Sequence, residues 1–351
     1  MLIYYIVWIM LLLPRLSRQG LANRDKFNRH YAVYVFIMLS LLLGLRADTV
    51  GTDTSQYAYL YSISEERVAS RVYDLGYYLF SSWFYRAGVE FQTYLFIISC
   101  FMIGCLVLCY ERFSLSLAYS IFIFMTIGLL PMYMSGIRQV MAISLCLLAL
   151  ILLERRKIIL SAIIIGFAST FHASAIVFFA VVPLTKLRLS RKTIFLLIVV
   201  SAMTPFYKRF LLMLVEFILP MKYASFDLYG GYEINPLLLI IAVLIPLFCV
   251  IFDNKTEADN KYSQGKTLLF LMSCMNIVLN MLALNSMYFS RAAYYYVHAN
   301  SILIPNVIFS QRKRYNRSIM VLAITVICAL YFIISIPDGT LQIDKYRFFW
   351  Q

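Results

Sequence analysis

The sequence predicts an all-α integral membrane protein, a polytopic bundle of about twelve transmembrane helices with one further re-entrant or interfacial helix on the outer face. Composition is the first reason: of 351 residues, 62% are hydrophobic and only 14% charged, more apolar surface than a water-soluble fold of this length hides. The second is that the apolar residues come in helix-length runs parted by short polar segments. The third is that basic residues gather between alternate runs. No Gly/Ser-rich or Pro-rich linker divides the chain, so residues 1–351 read as a single polytopic domain.

The run 2–14 has no basic segment before it and no small-residue cleavage site after it, so it reads as a retained helix rather than a secretion signal. Residues 31–45 form the next span. The stretch 75–86, LGYYLFSSWFYR, is short, aromatic and carries serines, which suits an interfacial helix within an outer loop, 46–91. Spans at 92–110, 117–134 and 137–153 follow. Segment 158–185 is too long for one crossing and lies between ERRK and KLRLSRK. It is therefore expected to go out as 158–171 and return as 173–185, with FASTFHAS at the outer turn. A span at 193–207, a surface stretch at 208–220, and spans at 237–252, 267–286, 293–310 and 318–336 complete the series.

Charge sets the orientation. Segments 14–30, 155–157, 186–192, 253–266 and 311–317, with Arg112, are assigned to the cytoplasm. Together with the neighbouring acids they hold twenty basic and six acidic residues, the whole formal charge of +14. Cations placed between membrane runs, rather than on one soluble face, argue against nucleic acid as a partner. The seven cysteines are scattered without CxxC or Cys/His spacing, and five of them (Cys100, Cys105, Cys109, Cys146 and Cys274) lie within apolar runs. They read as small core hydrophobes, with neither a disulfide framework nor a metal site indicated.

This arrangement sends Arg46, Asp53, Arg138, His172 and Arg291, from five separate parts of the chain, to outer helix ends or the outer loop. There they would line an extracytoplasmic cavity. In RADTVGTDTSQY (46–57), Asp53, Thr54 or Ser55 is suited to cap a helix and Arg46 to snorkel. A guanidinium and a carboxylate at a membrane mouth are equally suited to a substrate. In MSGIRQVMAIS, Arg138 and Gln139 fall in the first turn of a helix. A cation there opposes the macrodipole by roughly 0.3–1 kcal/mol, which a bound phosphate or carboxylate would relieve; interfacial anchoring is the alternative. His172 in STFHASA is either a capping residue or a proton carrier near neutral pH. Arg291 precedes the aromatic run AAYYYV. Outer tyrosines serve as interfacial anchors or as faces for sugar rings, with Tyr57 and Gln139 the candidate sugar contacts. No nucleotide or metal motif occurs in its required context, so no cofactor is expected.

The ordered set RADTVGTDTSQY, IRQVMAISLCLLAL with its ERRK stop, FASTFHASAIVF, Arg291 with its aromatics, and the KYRFFW tail resembles the EpsG-like membrane proteins, relatives of Wzy-type surface polysaccharide polymerases. The resemblance implies a metal-independent glycosyltransferase of the bacterial cytoplasmic membrane. Such an enzyme joins undecaprenyl-pyrophosphate-linked oligosaccharide repeat units on the outer face, alongside flippase and chain-length regulator proteins. Under it, Arg138, Arg291 and Arg46 would bind pyrophosphate, and Asp53 or His172 would be the catalytic base. The rival readings are a transporter or flippase of lipid-linked sugars and a surface-glycan ligase or acyltransferase. A transporter needs polar residues across the full membrane depth, whereas here the charges cluster at one end of mostly apolar runs.

The orientation is directly testable. Cysteines placed at Ser55 and Ser225, in a background without native cysteines, are expected to react with a membrane-impermeant maleimide in intact cells. Reaction only after permeabilisation would reverse the topology.

Overall fold

A computed structural model describes residues 2–16, 24–64, 74–187, 189–218, 236–253, 260–284, 287–335 and 342–351. The labelling position Ser225, and 65–73 of the loop 46–91, lie outside the described residues. The described chain is helical. Among the described residues four helices are long and apolar enough to cross a membrane, or six when each of two sharply bent pairs is one span, and shorter apolar helices accompany them. The chain is membrane-embedded. It divides into two compact units, Met1–Phe179 with Gln311–Gln351, and Ala180–Ser310.

In the first unit, α1 (Leu2–Leu16), α2 (Arg24–Gly44), α3 (Thr54–Ser62), α4 (Leu75–Arg86), α5 (Phe91–Phe113), α6 (Leu117–Thr126), α7 (Leu129–Ser135), α8 (Ile137–Glu154) and α9 (Ile158–Phe171) follow in order. Their centre is α5, packed between α2 and α8. Ile98, Met102 and Leu106 of α5 and Val140, Ile143 and Leu147 of α8 recur at three- and four-residue spacing and are fully buried. Lipid is as apolar as these side chains, so their close packing rather than exclusion of water holds the pair. Arg112 locks one end of it, donating from Nε to Glu154 Oε2 (3.1 Å) and from Nη2 to Oε1 (2.6 Å). The short helix expected at 75–86 forms as α4, with Leu75, Leu79 and Trp83 exposed along one side.

Two expected spans are broken. Residues 117–134 form α6 and α7, which meet at 69°. The cause is Gly128, whose φ of +87° is left-handed and costs a side-chain-bearing residue about 1–2 kcal/mol. Residues 193–207 likewise divide into α11 (Arg191–Ala202) and the start of α12 (Thr204–Ile218), bent by 78°, where the Thr204 hydroxyl donates to the Ser201 carbonyl at 2.6 Å. A helix break is present at FASTFHAS: α9 ends at Phe171, His172 is extended (φ −155°, ψ 118°), and the chain continues as a 3-10 stretch, Ala173–Ala180, and a single turn, α10 (Val181–Leu184).

The second unit is built on α14 (Asn260–Ala283) and α15 (Met287–Phe309), with α11 and α13 (Pro236–Ile251) against α14. Its hairpin is joined by a polar pair, Ser273 donating to Asn300 across the two helices; within α14 Asn280 donates to the Asn276 side chain (3.0 Å), and Ser301 and Asn306 are buried nearby in sequence. Such bonds between membrane helices are typically worth about 0.6 kcal/mol each and fix register. Returning to the first unit, α16 (Arg314–Ser335) attaches to α6 through the Tyr119 hydroxyl, which donates to the Val321 carbonyl at 3.0 Å, and turns Leu322, Ile327, Leu330 and Ile334 outward.

Gly128→Ala tests the cause of the α6–α7 break. An added Cβ would come no nearer than 3.8 Å to Tyr331, so the loss is conformational, and thermal unfolding in detergent is expected to fall by the equivalent of about 1–2 kcal/mol.

Candidate functional site

The site is organised by a loop and two helix ends. Arg46 follows α2 directly. Its side chain is fully buried, donating to the Leu43 carbonyl in the last turn of α2 and from Nη2 to the Met134 carbonyl at the end of α7 (2.8 Å). These carbonyls lack helical donors and carry the negative ends of two helix dipoles, so one guanidinium caps both helices. Burial pulls its pKa down to about 10, countered by Tyr346 and Tyr4, which leaves Arg46 charged at neutral pH. The loop beyond it is fastened to the same place: the Thr54 hydroxyl donates to Val50 (2.8 Å) and Met134 (3.1 Å) carbonyls, and Thr52 N–H to Ser135 Oγ (3.2 Å).

The C-terminal residues 342–351 strap this loop from outside. Arg46 and Phe348 form an antiparallel bridge, with Ala47 N–H donating to Arg347 (2.9 Å) and Phe349 N–H to Leu45 (3.0 Å). Tyr346 donates to the Leu42 carbonyl (2.9 Å) and Tyr4, at the far end of the sequence, to that of Ile343 (2.8 Å).

Immediately after this junction α8 begins, with Gly136 as its N-cap and Arg138 in its first turn. Arg138 Nε donates to the Tyr57 hydroxyl (3.4 Å), and its guanidinium lies 6.0 Å from the Tyr57 ring. Burial raises the Tyr57 pKa against the opposing charge of Arg138, so the phenol stays neutral. Arg138 Nη1 is 3.9 Å from Asp74 Oδ2; the two side chains are 24% and 29% exposed. Asp74 is the residue before α4, yet it makes no cap hydrogen bond to that helix.

His172 enters through the α8–α9 hairpin. The Ser161 hydroxyl donates to the Ala149 carbonyl at 2.9 Å, fixing the register. Eleven residues onward from Ser161 is His172, and eleven back from Ala149 is Arg138, so equal rise along the antiparallel helices brings them level. Gly76 lies against Thr170 so closely that a Cβ would stand 2.9 Å from its carbonyl carbon, which holds the Asp74 end of α4 at the His172 end of α9. His172 Nδ1 is 2.6 Å from Ser174 Oγ.

Of the sequence-predicted residues, Arg138, Tyr57 and His172 therefore gather at one end of the first unit. Asp53 is exposed at the start of α3, one turn before Tyr57, and makes no cap bond. Gln139 is buried on α8. Arg46 is adjacent in sequence to the loop but sits in the interior, its contacts made to backbone carbonyls. Arg291 belongs to the second unit, partly exposed in the second turn of α15. Asp74 escaped the sequence reading because an aspartate before an aromatic helix, YDLGYY, has the pattern of an ordinary N-cap.

The sequence model of the EpsG family matches residues 30–348. The chain belongs to the EpsG family. That family is polysaccharide polymerase-like, which places this EpsG-family protein in polysaccharide biosynthesis. No curated protein and no solved structure matches the chain.

Arg46→Ala leaves the Leu43 carbonyl without its donor and the Met134 carbonyl with Thr54 alone. An orphaned buried group costs about 1–3 kcal/mol, so a clear loss of thermal stability in detergent is expected, with Arg46→Lys intermediate because one ammonium reaches both carbonyls poorly. Unchanged melting for Arg46→Ala would show that the double cap holds nothing.

Proposed function

We propose that this EpsG-family protein is a polysaccharide polymerase, acting on the outer face of the bacterial cytoplasmic membrane to join undecaprenyl-diphosphate-linked oligosaccharide repeat units. The supporting observation is the meeting of Arg138, Tyr57 and Asp74 at a partly open helix end of one unit, with the end of α9 that carries His172 held beside the Asp74 end of α4. The expected topology of about twelve spans with outer termini is what would put these ends on the outer face.

Transfer joins an acceptor hydroxyl oxygen to the donor's anomeric carbon, the bond to diphosphate breaks with its electron pair leaving on phosphate, and a base takes the hydroxyl proton. Arg138, at the positive end of α8, is suited to the leaving diphosphate, since its planar fork matches phosphate oxygens and the helix N-terminus adds to the field. This needs no metal. Tyr57 accepts a hydrogen bond from Arg138 and, with Gln139, is the sugar contact the sequence suggests, although both side chains are buried. His172, its ring fixed by Ser174, is the proposed base, with Asp53 as the alternative. Flippase and chain-length proteins are the expected partners.

The buried polar hairpin of the second unit is what would favour a transporter instead. Two sets of variants divide these readings. His172→Ala is expected to remain inserted while polymer formation falls roughly 10²–10⁴-fold. Arg138→Lys is expected to be nearly as damaging as Arg138→Ala, because an ammonium keeps the charge without the fork; full polymer yield at matched protein level would return Arg138 to an anchoring role.

A further inference from the structure

The anion that the first turn of α8 requires is already present in the chain. Asp74 stands at Arg138, although an aspartate before a helix ordinarily turns its carboxylate onto its own helix's N–H groups, and Asp74 makes no such bond. Its approach is loose: 3.9 Å, with both side chains about a quarter open to the outside. A part-exposed pair at this distance is weak, whereas a diphosphate offers several oxygens and more charge to the same fork. Asp74 is also well placed to move only slightly, because Gly76 fixes the following turn of α4 against Thr170.

We infer that Asp74 is an exchange partner for Arg138. In the empty site it neutralises the guanidinium; an incoming diphosphate displaces it; and it retakes the guanidinium as the diphosphate product departs. It is a specificity-determining residue rather than a catalytic one, because a weakly charged anion does not outcompete a carboxylate already in place, and a diphosphate does. The same competition limits product retention. The inference rests on the reading of Arg138 as the diphosphate contact.

The test uses full-length protein in detergent and inorganic pyrophosphate as the probe, titrated calorimetrically. Asp74→Asn keeps the shape and removes the charge. It is expected to bind pyrophosphate roughly three- to tenfold more tightly than the unaltered protein, and the gain is expected to vanish in an Arg138→Ala background. In the polymer assay the same variant is expected to lower KM for the lipid-linked donor and to become more sensitive to inhibition by added pyrophosphate. A purely structural role for Asp74 predicts weaker binding, independent of Arg138. Asp74→Ser, which also removes the charge and retains a capping oxygen, repeats the measurement should the asparagine variant fail to insert. Equal or weaker pyrophosphate binding in the charge-removed variants, with binding still sensitive to Arg138→Ala, would overturn the exchange alone. Pyrophosphate binding that is absent, or indifferent to Arg138→Ala, would overturn the diphosphate reading of Arg138 and the exchange with it.

Discussion

The first unit depends on how a membrane protein ends its helices. Carbonyls in the last turn of a helix have no internal donors, and lipid supplies none, so α2 and α7 can end near one another only if something donates to both. Arg46 does so, contacting Leu43 and Met134 with one side chain. Thr54 shares the Met134 carbonyl, and Ser135 receives the Thr52 N–H. The result is a fixed point from which α8 starts afresh, with Arg138 in its first turn. Breaking the helix before α8, rather than continuing it, is what creates a positive helix end near the expected membrane surface.

Around this point the chain uses distant segments. The 342–351 strap closes over the loop after α2, and Tyr4 reaches the strap from the first helix. α4 arrives laterally, pinned by Gly76 to the end of α9, and brings Asp74 to Arg138. The opposite end of α8 is held by Glu154 and Arg112, so the helix is fastened at both ends by arginine: one arginine grips a carboxylate, and another caps the helix before it. Arg138, in the first turn of α8, keeps its side chain about a quarter exposed.

Much of this was legible in residue order. Apolar runs and interposed cations located the helices; the short aromatic stretch at 75–86 was read as a separate helix, and Arg138 in a first turn marked itself as electrostatically misplaced. Two kinds of feature were hidden. MTIGLLPM lies inside a long apolar run, so the left-handed backbone at Gly128, with Pro131 three residues on, is all that distinguishes a broken span from an unbroken one. The roles of Arg46 and Asp74 depend on partners remote in sequence, Met134 for one and Arg138 for the other. Arg46 reads as an interfacial cation until the strap covers it. Asp74 reads as a helix cap until its carboxylate is seen to face another helix.

The central claim is that the cluster around Arg138 carries out glycosyl transfer rather than passage of a lipid-linked sugar. Purified protein in detergent, where no membrane separates two sides, supplied with lipid-linked repeat units and no nucleotide, tests it most directly. The account predicts a ladder of glycans longer than the input unit, with free lipid diphosphate released in step. Unchanged repeat units from well-folded protein that nonetheless moves them across reconstituted vesicles would contradict it.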